Sequence, residues 1–342
     1  MNLDSFKNKK ILYISIKTFN YELEIANKLR ELGAQVDYFD ERPSNSVLTK
    51  GIIRLKRSFI KKKIDTYYNS ILKKIEGKKY DFFFLVKGEA IPSFFLAKLK
   101  LLQKNCSFIY YTWDSFENNT NALSILHFFD KKLTFDPLDA ESFKLEFRPL
   151  FYIDKYKIMK NIKKSKYKML FLGTAHSDRY RISNDVVNWC KKHNFSTFTY
   201  YYMQSKLVYF FKSKFDSSFK DFDYKKLNFK SLSIDEIIKY YEDSSIILDI
   251  NHPNQRGLTM RTFEALGAGK KIITTNKEIK KYSFYNSNNI FVIDRENIEL
   301  EKAFFEFNFN PINEDILFEM SITGWIKSVF IQNDSNYWLN KL

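Results

Sequence analysis

The sequence predicts an α/β protein with two doubly wound parallel sheets, and three observations lead to this fold class. Strand-length apolar runs alternate with amphipathic helical segments along most of the chain. Such alternation is typical of a parallel sheet with helices on both faces, as in Rossmann-like domains. A polar, Lys-rich stretch at residues 154–168 interrupts the alternation near its middle. The length of 342 residues suits two domains of ordinary size.

The first predicted domain covers residues 1–153. Its strands are expected at residues 9–16, 35–39, 81–86, 108–112 and 133–135. Its helices are expected at residues 21–32, 92–103 and 123–129, with a further helix opened by Asp136 and Pro137. No G-x-G-x-x-G follows the first strand, so the sequence predicts no dinucleotide site there.

The second predicted domain covers residues 169–323, after a linker at residues 154–168. Its strands are expected at residues 168–172, 196–201, 246–250, 272–275 and 290–293. Its helices are expected at residues 178–193, from Ile234 onward, at 259–266 and at 297–307. Ser233 and Glu236 predict a capping box at the start of the second of these helices. The tail, residues 324–342, is predicted as a separate C-terminal helix.

The most informative segment is residues 248–276, which holds three of the nine glycines. It predicts a strand, a polar glycine loop, a short helix and a second strand, which is half of a nucleotide-binding α/β domain. Gly257 lets the backbone approach a ligand closely, and the following helix start offers free N–H groups to an anion. Gly267 and Gly269 are expected to end the helix in left-handed conformations.

Arginine and a carboxylate surround this helix start. Arg256 and Arg261 flank it, and a guanidinium suits planar, bidentate recognition of phosphate. Glu264 lies one turn further along, where a carboxylate accepts hydrogen bonds from ribose hydroxyls. A pyrophosphate next to a sugar indicates nucleotide-sugar chemistry. The alternative is a simple salt bridge between Arg261 and Glu264, three residues apart on one helix.

The segment resembles the donor-binding segment of GT-B glycosyltransferases, especially bacterial capsule and lipopolysaccharide transferases of the group 1 type. The matching positions are Gly257, Glu264, Ala265, Gly269, Lys270 and Thr274. The resemblance implies a nucleoside-diphosphate sugar donor in the second domain, Glu264 on the donor ribose, and a last helix that crosses back onto the first domain. Many retaining members carry a second glutamate eight residues before the helix glutamate. Arg256 stands there, so inversion and retention both stay open.

Two loops that follow strands of the second domain hold the predicted donor-binding residues. The set is Gly173, Thr174, His176 and Arg179 after the first strand, and Asn251, Arg256, Gly257, Leu258, Thr259, Arg261 and Glu264 after the third. The carboxyl ends of parallel strands meet at one edge, where doubly wound sheets bind their ligands. The alternatives are an ordinary strand-to-helix turn capped by Ser177 or Asp178, and a solvated loop.

Asp114 and Glu89 are the candidate catalytic bases for an acceptor hydroxyl. Each follows an apolar strand of the first domain, and aromatic residues surround Asp114 in the sequence. A base in this domain makes inversion the simpler chemistry. The alternative is that each carboxylate only caps a helix or a turn, as is predicted for Asp136.

The net charge of +16 is large, with 56 Lys and Arg against 40 Asp and Glu. Residues 51–79 are rich in Lys and Arg, and their apolar residues recur at helical spacing. A basic amphipathic helix of this kind suits an anionic membrane that bears a lipid-linked glycan acceptor. The alternative is a helix pair packed on the core with a solvated lysine face.

The cysteines, the histidines and the hydropathy of the chain bear on metal binding and on cellular location. Cys106 and Cys190 fall in separate predicted domains and are expected as buried free thiols, which suits a reducing compartment. Four scattered histidines predict no metal cluster, and the D-x-D pattern at residues 221–223 is interpreted as a chance match, so no metal or cofactor is expected. The sequence shows no signal peptide and no membrane span, so the cytoplasm is the expected location, with peripheral contact at its membrane face.

Two other functions stay open. A GT-B-type sugar-nucleotide epimerase would need carboxylates around the same sugar and no acceptor surface. A nucleic-acid-binding protein would be favoured by the +16 charge and by 22 Tyr with 35 Phe, but the chain carries no RNA-binding signature, and nucleic acid is not an expected partner.

Overall fold

The computed structural model of the chain describes residues 6–117, 119–157, 165–216, 219 and 222–340, without the side chains of 47, 48, 54 and 55. The chain divides into two compact units. Unit 1 comprises Met1–Leu150 and Ile322–Trp338, and unit 2 comprises Phe151–Ser321 and Leu339–Leu342. Residues 158–164 of the predicted linker and Asp221 of the D-x-D pattern lie outside the described residues.

The strands and helices are numbered in chain order. The strands are β1 (Lys10–Ser15), β2 (Gln35–Asp40), β3 (Phe82–Val86), β4 (Ser107–Thr112), β5 (Lys131–Thr134), β6 (Glu146–Phe147), β7 (Tyr167–Thr174), β8 (Thr197–Tyr202), β9 (Leu227–Asn228), β10 (Ser244–Asp249), β11 (Lys271–Thr274) and β12 (Ile290–Val292). The helices are α1 (Tyr21–Glu31), α2 (Val47–Lys56), α3 (Lys61–Lys74), α4 (Ser93–Leu102), α5 (Thr120–Ile125), α6 (Pro137–Phe143), α7 (Arg179–Lys192), α8 (Lys206–Phe215), α9 (Ile234–Glu242), α10 (Met260–Gly267), α11 (Lys302–Glu306), α12 (Glu314–Met320) and α13 (Ile322–Phe330). Short 3-10 helices lie at Arg57–Ile60, Leu126–Phe128, Asp154–Tyr156, Tyr224–Lys226 and Lys277–Lys281.

Each unit contains a six-stranded sheet in which every strand pair is parallel. The order is β2-β1-β3-β4-β5-β6 in unit 1 and β12-β11-β10-β7-β8-β9 in unit 2. The chain reverses its direction of travel across the sheet between β1 and β3, and between β7 and β10. The predicted fold class, two doubly wound α/β sheets, is confirmed. The two reversal points are where such sheets bind ligands.

The central strands are buried on both faces, which explains their continuous apolar runs. In unit 1, Phe83 lies between the aromatic rings of Phe95 and Phe108, with centroid distances of 6.4 and 5.0 Å. On the other face, Trp325 of α13 packs against Tyr111 at 4.8 Å. The C-terminal helix therefore completes the second layer of unit 1.

The C-terminal half of the basic segment at residues 51–79 uses its apolar residues in the core, whereas Phe59 is exposed. Ile64, Tyr68 and Ile71 of α3 are buried beneath the sheet of unit 1, together with Ile75. Helix α3 is packed on the core, as the alternative for this segment expected, and membrane contact by the segment stays a prediction. The apolar spacing of α3 is therefore explained by packing on the core.

Several boundaries and roles differ from the prediction. The helix expected at 297–307 spans only Lys302–Glu306, and the one expected at 123–129 begins at Thr120. The prediction that Gly267 caps α10 in a left-handed conformation is wrong, because Gly267 lies inside the helix and only Gly269 has a positive φ, +67°. Among the described residues, no helix combines the length and apolarity that a bilayer span requires.

Candidate functional site

The predicted donor loops lie at the point where unit 2 reverses its strand order. β7 ends at Thr174, and the backbone turns through Ser177, with φ at +50°, before α7 begins at Arg179. β10 ends at Asp249, and a polar loop leads to α10. Because β7 and β10 are neighbours in the sheet, the two loops emerge side by side.

Arg179 ties these two loops together. Its Nε donates to the Ile250 carbonyl at 2.9 Å, and its Nη1 lies 3.5 Å from the Thr174 carbonyl. Burial, and then the positive charge of Arg261, lower the pKa of Arg179 to about 10. The guanidinium is therefore charged at neutral pH, in a place where burial and neighbouring cations disfavour that charge.

Arg295 also connects the two loops at this edge through hydrogen bonds, and the sequence analysis missed it. Its Nη1 donates to both carboxylate oxygens of Asp178, at 2.9 and 2.8 Å. Its Nη2 donates to the carbonyl and the side-chain oxygen of Asn251, both at 2.6 Å. Its position in the sequence could have indicated it, because Arg295 follows the strand β12 just as the other loop residues follow β7 and β10.

Asp249 is another residue that sequence reasoning missed. It is fully buried at the end of β10, and its Oδ2 accepts hydrogen bonds from the hydroxyls of Thr259, at 2.7 Å, and Thr262, at 3.3 Å. Arg261 Nη1 lies 3.7 Å from Asp249 Oδ1. Arg261 therefore pairs with Asp249, whereas the sequence offered Glu264 as its alternative partner. The signal was a carboxylate ending an otherwise apolar strand.

Glu264 is buried on α10, in surroundings that favour its neutral form. The Tyr241 hydroxyl donates to its Oε2 at 3.2 Å, and burial raises the pKa of Glu264 to about 8. A protonated carboxyl retains one acceptor oxygen and gains a donor, so it can still bond a sugar hydroxyl. Its contact with a donor ribose stays a prediction.

His176 lies beside Arg179 on the loop after β7. Its Nδ1 is 3.1 Å from the Ser177 hydroxyl, and its ring is 6.1 Å from that of the exposed His252. Burial, and then the charge of Arg179, lower the pKa of His176 to about 3. The imidazole is therefore neutral at physiological pH and acts as a hydrogen-bonding group.

The remaining predicted donor residues serve different parts of the loops. Asn251 is buried, and it donates to the Gln255 carbonyl at 2.7 Å while its own oxygen accepts from Thr275 at 2.6 Å. Leu258 is a core residue and Arg256 is exposed. Asn251 therefore shapes the loop, and Arg256 is the more accessible of the arginines flanking the helix start.

The glycines of the site are explained by packing as well as by turns. A Cβ on Gly173 would lie 2.7 Å from the Phe171 ring, and one on Gly267 would lie 2.6 Å from the Tyr152 ring. Gly257 is buried, and its carbonyl accepts from the side chain of Gln255 at 2.9 Å. The close approaches at Gly173 and Gly267 thus involve aromatic rings of the protein itself.

The two candidate bases follow the neighbouring strands β3 and β4 of unit 1, and each lies close to a cation. Glu89 accepts hydrogen bonds from the Nε, at 2.8 Å, and the Nη2 of Arg42, and both side chains are buried. Asp114 lies 2.9 Å from the Nζ of Lys87, which is also 4.0 Å from Glu89. Asp114 is the more accessible carboxylate, with 29% of its side chain exposed.

Two predictions about helix starts, and the prediction about the cysteines, are confirmed. Asp136 begins α6 by accepting from the backbone N–H groups of Leu138, at 2.9 Å, and Asp139. Ser233 and Glu236 form the expected reciprocal capping box of α9. Cys106 and Cys190 are buried free thiols, as expected.

Comparison with known proteins gives matches among solved structures. No protein-family model and no curated protein matches the chain at a significant level. Anabaena Alr3699/HepE, in complex with UDP and glucose, is 11% identical with a TM-score of 0.55, and the match covers 94% of this chain and 99% of that one.

Two further solved structures also match over nearly the full length of both chains. The N-terminal domain of Candida albicans trehalose-6-phosphate phosphatase is 8% identical with a TM-score of 0.57, covering 95% of this chain and 94% of that one. A putative UDP-N-acetylglucosamine 2-epimerase from Listeria monocytogenes is 10% identical with a TM-score of 0.51, covering 96% and 98%. Identities this low establish architecture alone. The chain therefore has the GT-B fold, as its resemblance to GT-B glycosyltransferases implied.

Proposed function

We propose that the protein is a glycosyltransferase that moves a sugar from a nucleoside-diphosphate sugar to a glycan acceptor of a surface polysaccharide. The donor would occupy the edge of unit 2 at β7 and β10. The acceptor would be activated by a carboxylate of unit 1, for which Asp114 is the better candidate because it is more exposed than Glu89.

One observation carries this proposal. Arg179 is a largely buried cation whose hydrogen bonds go to two neutral carbonyl groups. Burial, Arg261 and Arg295 disfavour its charge, and the nearby carboxylates of Asp249 and Asp178 offset this only in part, so its pKa is lowered to about 10. An anion bound here would relieve that repulsion and would gain fork-shaped donors suited to phosphate. A diphosphate is the anion that a nucleotide sugar offers at this edge of a doubly wound sheet.

The same charges would lower the barrier of the reaction. Transfer of the sugar leaves a nucleoside diphosphate with an added negative charge, and arginines held in place before the reaction stabilise that charge as it develops. We propose that they replace a metal ion, so that turnover continues in EDTA. Glu264 would bind the ribose, and the similar structure that contains UDP and glucose makes UDP the first nucleotide to test.

The test is a binding and product screen. UDP-, GDP-, dTDP- and CMP-sugars are titrated into the protein by calorimetry, and the sugar nucleotide that binds is incubated with and without glycan acceptors. We expect binding of one nucleotide class and release of the nucleoside diphosphate that depends on acceptor. If no sugar nucleotide binds, and a single-stranded nucleic acid binds with steep salt dependence, the proposal is wrong.

A sugar-nucleotide epimerase is the second candidate, and the similar Listeria structure favours it. An epimerase converts its substrate without any acceptor and without losing mass. The same incubation therefore separates the two enzymes. Isomerised nucleotide sugar in the acceptor-free reaction would establish the epimerase and exclude the transferase.

A further inference from the structure

Helix α8 of unit 2 exposes a row of apolar side chains that the proposed function does not use. Leu207, Phe210, Phe211 and Phe215 have exposed fractions of 65, 50, 54 and 83%. Of the fifteen large apolar side chains exposed among the described residues, four lie in this one helix. Single exposed apolar residues are ordinary, whereas a contiguous group of them marks a binding surface.

The exposure follows from the orientation of a well-formed helix. Ser205 begins α8 by accepting from the Val208 backbone N–H at 3.2 Å. Val208 and Tyr209 pack on the core of unit 2. Positions 207, 210, 211 and 214 are three and four residues apart, so they form one stripe on the side turned away from that core.

Lysines are interleaved with this stripe. Lys206 begins the helix and Lys214 lies within the stripe, with its Nζ 4.3 Å from the Phe210 ring centroid. The exposed Tyr224 lies next to α8, with its ring 5.0 Å from that of Tyr209, and the exposed Lys225 follows it. Asp216, the residue that follows α8, lies 4.0 Å from Lys212, which partly compensates its charge.

We propose that this α8 face, formed by Lys206, Leu207, Phe210, Phe211, Lys214 and Phe215, binds the surface of an anionic phospholipid bilayer. Phenylalanine rings enter the boundary of the acyl chains while lysine heads remain among the phosphates. The net charge of +16 attracts the whole protein to such a surface. This partner goes beyond the proposed function, which concerns the donor, the acceptor and the bond between them.

Vesicle co-sedimentation tests the proposal. The protein is mixed with phosphatidylcholine vesicles that contain or lack phosphatidylglycerol, at low and high salt. We expect binding to the anionic vesicles that weakens as salt rises. The double variant Phe210→Ser, Phe211→Ser should weaken partitioning by at least about tenfold, because two rings no longer leave water.

Phe59→Ser is the matched control. Phe59 is 73% exposed and lies in the basic segment of unit 1, within reach of Lys56, so it has similar chemistry at another place. This variant should bind vesicles like the wild type. Thermal melts of all variants should coincide, because the replaced rings are exposed, and nucleotide-sugar binding by each should be unchanged.

Three results would overturn the proposal. The first is a wild-type protein that ignores phosphatidylglycerol vesicles, and the second is an α8 variant that binds them as well as the wild type. The third comes from sedimentation velocity: a wild-type dimer that becomes monomeric in the α8 variant would assign this face to a second copy of the chain. Each can occur while nucleotide-sugar binding is intact, so each differs from a failure of the proposed function.

Discussion

The carboxyl-end edges of the two sheets share a topology and differ in how their charges are arranged. In unit 1, Glu89 is held by Arg42 and Asp114 by Lys87, so each carboxylate has a cation of the same unit as its partner. The loop that carries Lys87 is itself fixed, since its carbonyl accepts from Asn119 at 2.7 Å. Charge at this edge is therefore compensated within the protein.

The edge of unit 2 is arranged differently. Arg295 is paired with Asp178 and Arg261 lies near Asp249, but the hydrogen bonds of Arg179 go to carbonyl groups. Asp249 and Asp178 favour the charge of Arg179, but burial and then Arg261 disfavour it more strongly, so its pKa falls to about 10. A cation whose hydrogen bonds go to carbonyl groups gains more from an anionic ligand than one hydrogen-bonded to a carboxylate does. Equal topology therefore does not give equal chemistry. Both edges contain ion pairs, but in unit 2 one further arginine, Arg179, directs its hydrogen bonds to carbonyl groups, and on this difference the proposed anion site depends.

The largest expected effect concerns the buried pair of unit 1. Arg42→Met leaves Glu89 buried without its guanidinium, which should lower the free energy of unfolding by about 3–5 kcal/mol. Urea denaturation measures it. Lys302→Met is the control, because the Lys302–Glu306 pair is exposed and its loss should cost at most about 0.5 kcal/mol. Equal effects of the two variants would show that the Arg42–Glu89 pair stabilises the protein no more than an exposed ion pair does.

The raised pKa of Glu264 makes the free energy of unfolding depend on pH. Because its folded pKa of about 8 is above the ordinary value of 4.5, the native state keeps a proton that the unfolded state releases. The stabilisation that this retained proton gives is fully present below pH 4.5, the ordinary pKa. It is lost as the pH rises toward 8, by about 1.4 kcal/mol for each pH unit in between.

Glu264→Gln should flatten this slope, measured by urea denaturation at several pH values. Glu41 in unit 1 has a folded pKa raised to about 7 by burial and makes the matched comparison. Glu41→Gln should flatten the curve over a range that ends about one pH unit lower. An unchanged slope in Glu264→Gln would mean that this carboxyl is ionised in the folded protein.

Gly267→Ala should destabilise unit 2 by about 1–3 kcal/mol, because the added Cβ would lie 2.6 Å from the fully buried ring of Tyr152. Gly51→Ala is the control on a helix of unit 1, where no atom lies within 4 Å of the new Cβ. That change should stabilise the protein by up to about 1 kcal/mol through helix propensity. Thermal melts measure both changes, and a shift of the same sign in the two variants would contradict the packing explanation for Gly267.

The smallest expected effect is on affinity for the sugar nucleotide, and two arginines of α7 make a matched pair to test it. Arg179→Lys keeps the charge but loses the planar fork, so affinity for the sugar nucleotide should fall about tenfold. Arg181→Lys, two residues along, changes an exposed side chain 3.4 Å from Glu296 and should leave affinity unchanged. Calorimetry measures both, and equal affinities in the two variants would remove Arg179 from the site.

Local chemistry made most of the fold predictable, and long-range contacts limited the prediction of the site. Apolar runs located the strands, and the capping box of Ser233 and Glu236 located α9, because those signals act within a few residues. Arg295 was missed because its partner Asp178 lies 117 positions away. Gly267 was misinterpreted for the same reason, since the Tyr152 ring that requires a glycine there is remote in sequence.

Hydrogen exchange in the presence of the tightest-binding nucleoside diphosphate tests the central claim most directly. UDP, GDP, TDP and CDP are compared, and backbone protection is mapped by mass spectrometry. The account predicts protection of peptides at residues 174–182 and 249–262 in unit 2, and unchanged exchange at residues 87–91 in unit 1. Protection confined to unit 1, or none with any of the four nucleotides, would contradict it.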